Sequence, residues 1–224
     1  MNNYTDSYVA DKSSFLSRVF TYLAIGLGLG ALGAFAGVLL LNVMGSAFLI
    51  LMLVLMVVEI VLVIALSRNL ESKSLSSVRG MFIAYSFING MTLSTLLLAY
   101  TTVSVVFAFL TTAVVFASLA IIGKTTKIDL SKFSSLFMVG LIVCLVMTLI
   151  NALFIRSGQM DIVMCYVETF IFMGLIAYDT QMIDRYYSQS NNENFAIYAA
   201  LQLELDFVNL FIRILQIFGR RRND

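Results

Sequence analysis

Six long apolar runs dominate this sequence of 224 residues, and they constrain the class of protein before any motif is considered. A helix that spans a bilayer needs about 20 mostly apolar residues. Apolar residues make up 60% of the chain and charged residues 12%, whereas an average soluble domain has about 25% charged residues. The composition therefore predicts an all-α integral membrane protein whose function lies inside the bilayer.

The runs predict six spanning helices, and a seventh segment is long enough to cross. They cover about 19–41, 47–66, 80–100, 103–122, 133–155 and 162–187, and the seventh segment covers 195–218. This last segment carries Glu204, Asp206, Asn209 and Arg213, so it must lie inside a bundle or re-enter the membrane. We expect a polar amino-terminal segment (1–18), a single seven-helix membrane domain (19–218) and a basic tail (219–224).

Basic residues between the runs predict the orientation. If the amino terminus is cytoplasmic, only Arg156 falls outside before the tail, which is the positive-inside pattern. The residues on the inner side are then Lys12, Arg18, Arg68, Lys73, Arg79, Lys124, Lys127, Lys132 and Arg185. A seventh crossing would place the three arginines at 220–222 outside, so the side of the tail stays open. The short termini suit a bacterial inner membrane, with an organelle membrane as the other choice.

Residue types that are absent or isolated limit the chemistry available to this chain. Histidine is absent, which removes the commonest general base and proton shuttle, so proton chemistry must use carboxylates. Cys144 and Cys165 stand alone in apolar runs and are interpreted as small hydrophobic residues. The net charge of +1 argues against a nucleic-acid partner.

Acidic side chains in or near apolar helix are the functional lead. They are Glu59, Glu168, Asp179, Glu204 and Asp206. Each costs about 2.5 to 3.5 kcal/mol at the bilayer centre, so each should be neutral, paired or beside water. Alternatively, some sit at the membrane interface, an interpretation that suits Glu204 near the start of its helix better than Glu59 within its run.

Helical spacing places several polar residues in two stripes. Eleven residues, about three turns, separate Glu168 from Asp179 on one helix. The stripe on the next helix comprises Gln202, Asp206, Asn209 and Arg213. If the two helices form an antiparallel hairpin around 188–194, Glu168 lies level with Arg213, and Asp179 lies within about one turn, ~5 Å, of Asp206. We therefore expect a Glu168–Arg213 ion pair and an Asp179–Asp206 dyad.

Two facing carboxylates can sense pH without histidine. At ~4 Å and an effective dielectric of ~20 their repulsion is about 4 kcal/mol, so the pair shares a proton when closed and repels when that proton is lost. The separated carboxylates then offer oxygen ligands to a hard cation such as Ca²⁺. Alternatively, Asp179 and Asp206 are independent hydrogen-bonding groups in helix packing.

Motifs in the last two helices resemble a known family. The stretch 177–181 reads Ala-Tyr-Asp-Thr-Gln, and 203–211 reads Leu-Glu-Leu-Asp-Phe-Val-Asn-Leu-Phe. Both resemble the last two helices of the Bax inhibitor-1 family, also called the transmembrane Bax inhibitor motif family, in a bacterial-type member. The stretch 123–137, with Thr-Thr-Lys and Asp-Leu-Ser elements, is similar to that family's connection between spans four and five, and the resemblance covers nearly the whole chain.

The resemblance implies a seven-transmembrane-helix bundle with the carboxy-terminal helix central, acting as a pH-sensitive calcium leak channel and not as an enzyme. It implies that Asp179 and Asp206 are the gate and transient Ca²⁺ ligands. It further implies that Glu59 lines the ion path and that a basic residue, for which Arg68 is the nearest candidate, latches the closed dyad. Supporting polar roles fall to Gln181, Gln202 and Asn209.

The family resemblance predicts few ligands. Ca²⁺ is the permeant ion, protons are the regulator, and no tightly bound cofactor is expected. The lipid bilayer is the expected partner; protein partners and oligomeric state stay open, with a monomer as the simplest case.

Other functions compete with the channel. Tyr178-Asp179 resembles an element of presenilin-like aspartyl proteases, but Asp206 lacks their Gly-x-Gly-Asp pattern and a chain without proline cannot supply their Pro-Ala-Leu motif. A proton-coupled secondary transporter would also use carboxylates, although no inverted repeat is evident. A membrane scaffold that conducts nothing is the third alternative, whereas a retinal protein is excluded because every lysine lies in a polar terminus or loop.

Overall fold

The computed structural model describes residues 2–45 and 47–222, and each long apolar run forms a helix. The helices are α1 (Asn2–Met44), α2 (Ala47–Ser67), α3 (Leu75–Ala99), α4 (Thr102–Thr125), α5 (Ser134–Ile150), α6 (Gly158–Gln189) and α7 (Glu193–Phe218). All seven helical segments are long and apolar enough to cross a membrane. The described residues form no β-strand, so the predicted all-α membrane fold is confirmed.

Helix α1 begins near the start of the chain, whereas the apolar run begins only at residue 19. Because residues 2–18 contain neither glycine nor proline, nothing interrupts the helix there. Phe15 is buried and packs on the ring of Tyr187, with 5.6 Å between the ring centroids. Residue 1 of the polar amino-terminal segment and residues 223 and 224 of the basic tail lie outside the described part of the chain.

The fifth span is assembled from three pieces. A short 3₁₀ turn, Leu130–Phe133, precedes α5, and a π-helical turn, Asn151–Ile155, follows it. Asn151 is buried and donates hydrogen bonds to the Ser157 carbonyl (3.0 Å) and to Asp161 (2.5 Å). This side chain thus closes the tight connection between α5 and α6.

The helices are grouped in two compact units. Unit 1 comprises residues 1–99 and 183–204, and unit 2 comprises 100–182 and 205–224. In unit 1, glycines let α1 and α3 approach closely: a Cβ at Gly90 would overlap the backbone of Gly30, and one at Gly33 would overlap that of Phe87. Small residues commonly bring helix backbones together in membranes.

In unit 2, α4 packs closely on α6 and α7. A Cβ at Gly123 would overlap the backbone of Ala177. Phe207 of α7 makes edge contacts with Phe109 and Phe116 of α4, at centroid distances of 5.4 and 5.5 Å. These contacts fix the neighbourhood of the acidic motifs on α6 and α7.

Helix α7 is the most enclosed of the seven. Two thirds (67%) of its most apolar 18-residue window is buried, against 28% or less in every other span. It is also uninterrupted over 26 residues, which is about 39 Å at 1.5 Å per residue. Because α7 is uninterrupted, it is a full-length helix and not a re-entrant segment. Because it is the most buried span, the predicted central position of the carboxy-terminal helix is confirmed.

Candidate functional site

Asp179 of α6 and Asp206 of α7 lie side by side in unit 2. Their side chains are hydrogen-bonded to each other. Both residues are buried, since Asp179 is 7% exposed and Asp206 is 5% exposed. An ionised carboxylate only accepts hydrogen bonds, so a bond between two carboxyl groups requires a proton on one of them. The structure thus brings the two aspartates together, in a position where the two carboxyl groups can form such a bond.

The surroundings of this pair are tightly packed and apolar. Gly123 lies against the backbone of Ala177, two residues before Asp179, and Phe207 follows Asp206 directly. Neither aspartate pairs with a basic side chain in the described part of the chain. The negative charge of a doubly ionised pair would therefore have no compensating cation.

Gln181 has a structural role beside the pair. Its side-chain oxygen accepts a hydrogen bond from the Leu130 amide (2.8 Å), and its side-chain nitrogen donates to the Ile128 carbonyl (2.9 Å). The side chain therefore ties α6 to the connection between α4 and α5, which is the other segment that resembles the family.

Glu168 and Arg213 form an ion pair farther along the same two helices. The Arg213 Nε atom lies 2.5 Å from the Glu168 carboxylate, which also accepts a hydrogen bond from Thr148 (3.4 Å). A second Arg213 nitrogen donates to Gln216 (2.7 Å). The pair and Asn209 line a cavity of about 290 Å³ whose other walls are mostly apolar side chains of α5 and α6. The structure brings Glu168 and Arg213 together, as their equal depth suggests.

The remaining predicted polar residues have separate positions. Asn209 donates to the carbonyl of Leu205 within α7 (2.8 Å). Gln202 is half-buried. Glu59 is half-buried on α2 and accepts hydrogen bonds from Asn89 (3.3 Å) and Thr92 (2.7 Å) of α3.

Arg68 lies just beyond the end of α2. The residue is exposed, and its backbone carbonyl accepts a hydrogen bond from the Lys73 ammonium. The latch role for Arg68 stays a prediction.

Glu204 is enclosed by protein, because only 1% of the residue is exposed. Its carboxyl accepts a hydrogen bond from Ser86 (2.9 Å) and lies against Gly26, where any larger side chain would overlap it. Sequence reasoning missed Ser86 and Tyr85 as neighbours of this acid. The signal that would have found them is a polar stripe on α3, consisting of Tyr85, Ser86, Asn89 and Thr92 at helical spacing.

Known proteins resemble this chain over 73% to 97% of its length. Inner membrane protein YbhL of Escherichia coli strain K12 is 32% identical, with 97% of each chain covered. An uncharacterized protein of Borreliella burgdorferi is 34% identical over 95% of this chain and 94% of its own. An uncharacterized membrane protein of Streptococcus pyogenes serotype M1 is 39% identical over 73% of this chain and 72% of its own.

Residues 12–223 match the protein family described as "Inhibitor of apoptosis-promoting Bax1". The match includes all seven spans and both aspartate motifs. The chain therefore belongs to the Bax inhibitor-1 family of membrane proteins.

Proposed function

We propose that this protein is a pH-sensitive calcium leak channel of a bacterial inner membrane, with a cytoplasmic amino terminus. The observation that carries the proposal is the buried, hydrogen-bonded pair of Asp179 and Asp206, which joins α6 to α7 and has no basic partner among residues 2–45 and 47–222. Calcium as the permeant ion follows from the resemblance of the aspartate motifs to the Bax inhibitor-1 family, to which the chain belongs, and the name of the YbhL relative supports the inner membrane.

The gate follows from the electrostatics of the pair. While one proton is shared, the hydrogen bond holds α6 and α7 together. When rising pH removes that proton, two carboxylates at ~4 Å repel by about 4 kcal/mol at an effective dielectric of ~20, which corresponds to roughly a thousandfold change in an equilibrium constant. Loss of one proton is therefore sufficient to shift the protein from closed to open.

The opened pair then acts on the permeant ion. Ca²⁺ takes six to eight oxygen ligands, and two carboxylates supply at most four, so water completes the shell and the ion is held only in passing. Glu59 is proposed as a further acidic part of the ion path, where Asn89 and Thr92 hold its carboxylate in position.

The test is calcium flux into liposomes that contain the full-length protein and a calcium-sensitive dye. We expect flux to rise with pH in the natural protein. In Asp179→Asn and in Asp206→Asn, only one carboxylate remains and no repulsion can develop, so flux should stay low at every pH.

Asp184→Asn is the matched control. It is the same substitution on the same helix, but Asp184 is exposed and pairs with Lys12 at the surface (2.7 Å). Its pH profile should equal that of the natural protein. Absence of flux at all pH values, or an unchanged profile in both dyad variants, would overturn the channel. Flux that collapses when a protonophore removes the pH gradient would assign proton-coupled transport instead.

A further inference from the structure

Unit 1 encloses a second buried carboxyl group, that of Glu204. It lies between Gly26 of α1 and the side chains of Phe82 and Ser86 of α3, and no charged group pairs with it in the described residues. An isolated ionised carboxylate in such surroundings is very unfavourable, and buried groups of this kind take up a proton instead.

The hydroxyl of Ser86 gives an independent sign of that proton. Its oxygen lies 2.9 Å from the Glu204 carboxyl and 3.0 Å from the Phe82 carbonyl. A serine hydroxyl has one hydrogen to donate, so it cannot serve both acceptors at once. Both contacts are satisfied if Glu204 is protonated and donates to Ser86, while Ser86 donates to Phe82.

Tyr85, the next residue on α3, has an unused hydroxyl. It is 2% exposed, and its oxygen has no hydrogen-bond partner in the described part of the chain. Both Glu204 and Glu59 are near enough to act electrostatically on this hydroxyl. A buried hydroxyl left without a partner is unfavourable, so its position within electrostatic range of two acids points to a function.

We propose that Glu204 is a reversible proton-binding site, and that Tyr85 connects it to Glu59 as a proton relay. Glu59 forms the half-buried end of this relay, and Glu204 forms its fully buried end. The relay uses different residues from the aspartate pair and does not depend on calcium conduction.

A single transfer moves one proton from Glu59 to Glu204. Protonated Glu59 releases its proton toward the Tyr85 hydroxyl. The hydroxyl accepts it and releases its own proton toward ionised Glu204. Tyr85 ends neutral, Glu59 ends ionised and Glu204 ends protonated, so the net change is the movement of one proton.

The other titratable groups near this relay are already engaged. On α1 and α3, Tyr22 and Arg79 are both hydrogen-bonded to Glu193, which lies three turns before Glu204 on α7. Asp206 follows Glu204 by two residues and is bonded to Asp179. Glu59 and Tyr85 are therefore the groups available to exchange protons with Glu204.

Infrared spectroscopy of the reconstituted protein tests the proton on Glu204 directly. At neutral pH, we expect the difference spectrum between the natural protein and Glu204→Gln to contain the carbonyl stretching band of a buried protonated carboxyl, separate from any band of the Asp179–Asp206 pair. The corresponding difference spectrum for Glu193→Gln, an equivalent change in the surface pair of the same helix, should lack this band. In Ser86→Ala the band should shift in frequency, because its hydrogen bond is lost. Absence of the band from the Glu204→Gln difference spectrum would overturn the site.

Exchange of the same band after transfer to D₂O tests the relay. Tyr85→Phe and Glu59→Gln should each slow the exchange several-fold, whereas Tyr100→Phe, a change at another buried tyrosine, should leave it unchanged. Equal exchange in all four proteins would overturn the relay. Because neither measurement uses calcium, failure of the relay and failure of the channel are distinguishable.

Discussion

At the residue scale, α6 and α7 carry two acidic contacts of different kinds. Asp179 and Asp206 are two buried acids beside each other, whereas Glu168 is matched by the opposite charge of Arg213. Under the proposed function, the first contact changes with pH because a proton shared by the two acids holds it together. The second contact holds two charges that neutralise each other, so it is suited to fixing the helices in register.

Removing one member of the ion pair should destabilise the protein strongly. Glu168 is only 4% exposed, so Arg213→Gln leaves its carboxylate buried without a cation. We expect this unpaired charge to lower the free energy of unfolding by about 3 kcal/mol. The double variant Glu168→Gln with Arg213→Gln leaves no buried charge and should recover most of that loss. Thermal denaturation in detergent measures both changes.

The control for this comparison is Lys12→Gln. It breaks the exposed pair with Asp184, and exposed pairs contribute at most about 1 kcal/mol. Equal destabilisation in the single and double variants would show that the charge pairing is irrelevant to stability.

Asn194, at the start of α7, has a purely structural role. It is buried, and its side-chain nitrogen donates to the backbone carbonyls of Leu70 (2.9 Å) and Lys73 (3.0 Å). Asn194→Ala should lower the unfolding free energy by about 1 to 3 kcal/mol, because two buried carbonyls lose their donor. Asn191→Ala, at an exposed neighbouring position, should change it by less than about 0.5 kcal/mol. Chemical denaturation that gives the two variants the same stability would contradict this role.

At the element scale, the α1–α3 interface depends on glycines, which have no side chain to separate the two backbones. The backbones of Gly30 and Gly90 touch, so even a methyl group at Gly90 has no space. Close backbone approach increases van der Waals contact between helices, which drives helix association where lipid is as apolar as the side chains.

Gly90→Ala should therefore separate α1 from α3 and destabilise the protein by about 1 to 3 kcal/mol. Gly28→Ala is the matched control, because nothing lies within 4 Å of the added methyl group. The control should be neutral or stabilising by up to about 1 kcal/mol, since alanine favours helix over glycine. Thermal denaturation that ranks the two variants in the opposite order would contradict the close-packed interface.

At the scale of the whole molecule, seven crossings predict that the two chain ends lie on opposite sides of the membrane. The distribution of basic residues predicts a cytoplasmic amino terminus. With seven crossings, the arginines at 220–222 are then expected outside, against the positive-inside rule. The side of the tail therefore depends on whether α7 crosses the membrane.

Cysteine labelling tests this topology. After Cys144 and Cys165 are replaced by alanine, Ser13→Cys and Lys127→Cys should be protected from a membrane-impermeant reagent in intact cells. In contrast, Gln159→Cys and Arg222→Cys should react. All four residues are exposed on the protein. Protection of Arg222→Cys in intact cells would show that α7 does not carry the tail across.

Several parts of the site could be predicted from the sequence because they depend on local geometry. Helix periodicity and distance from the turn place Asp179 near Asp206 and Glu168 near Arg213 without knowledge of any other helix. The contact between Ser86 and Glu204 joins residues 118 positions apart. No periodicity within α7 specifies which face of α3 will meet it, so this contact and the burial of Glu204 could not be predicted.

Segment length and hydropathy are sufficient to predict seven membrane helices and their order, and the absence of histidine directs attention to the carboxylates for proton chemistry. These properties depend on the composition of each segment and on the cost of backbone and charge in lipid. The close approach at Gly90 and the enclosed surroundings of Glu204 emerge only when the helices pack. The reason is physical: burial and hydrogen bonding of a side chain depend on which distant helix covers it.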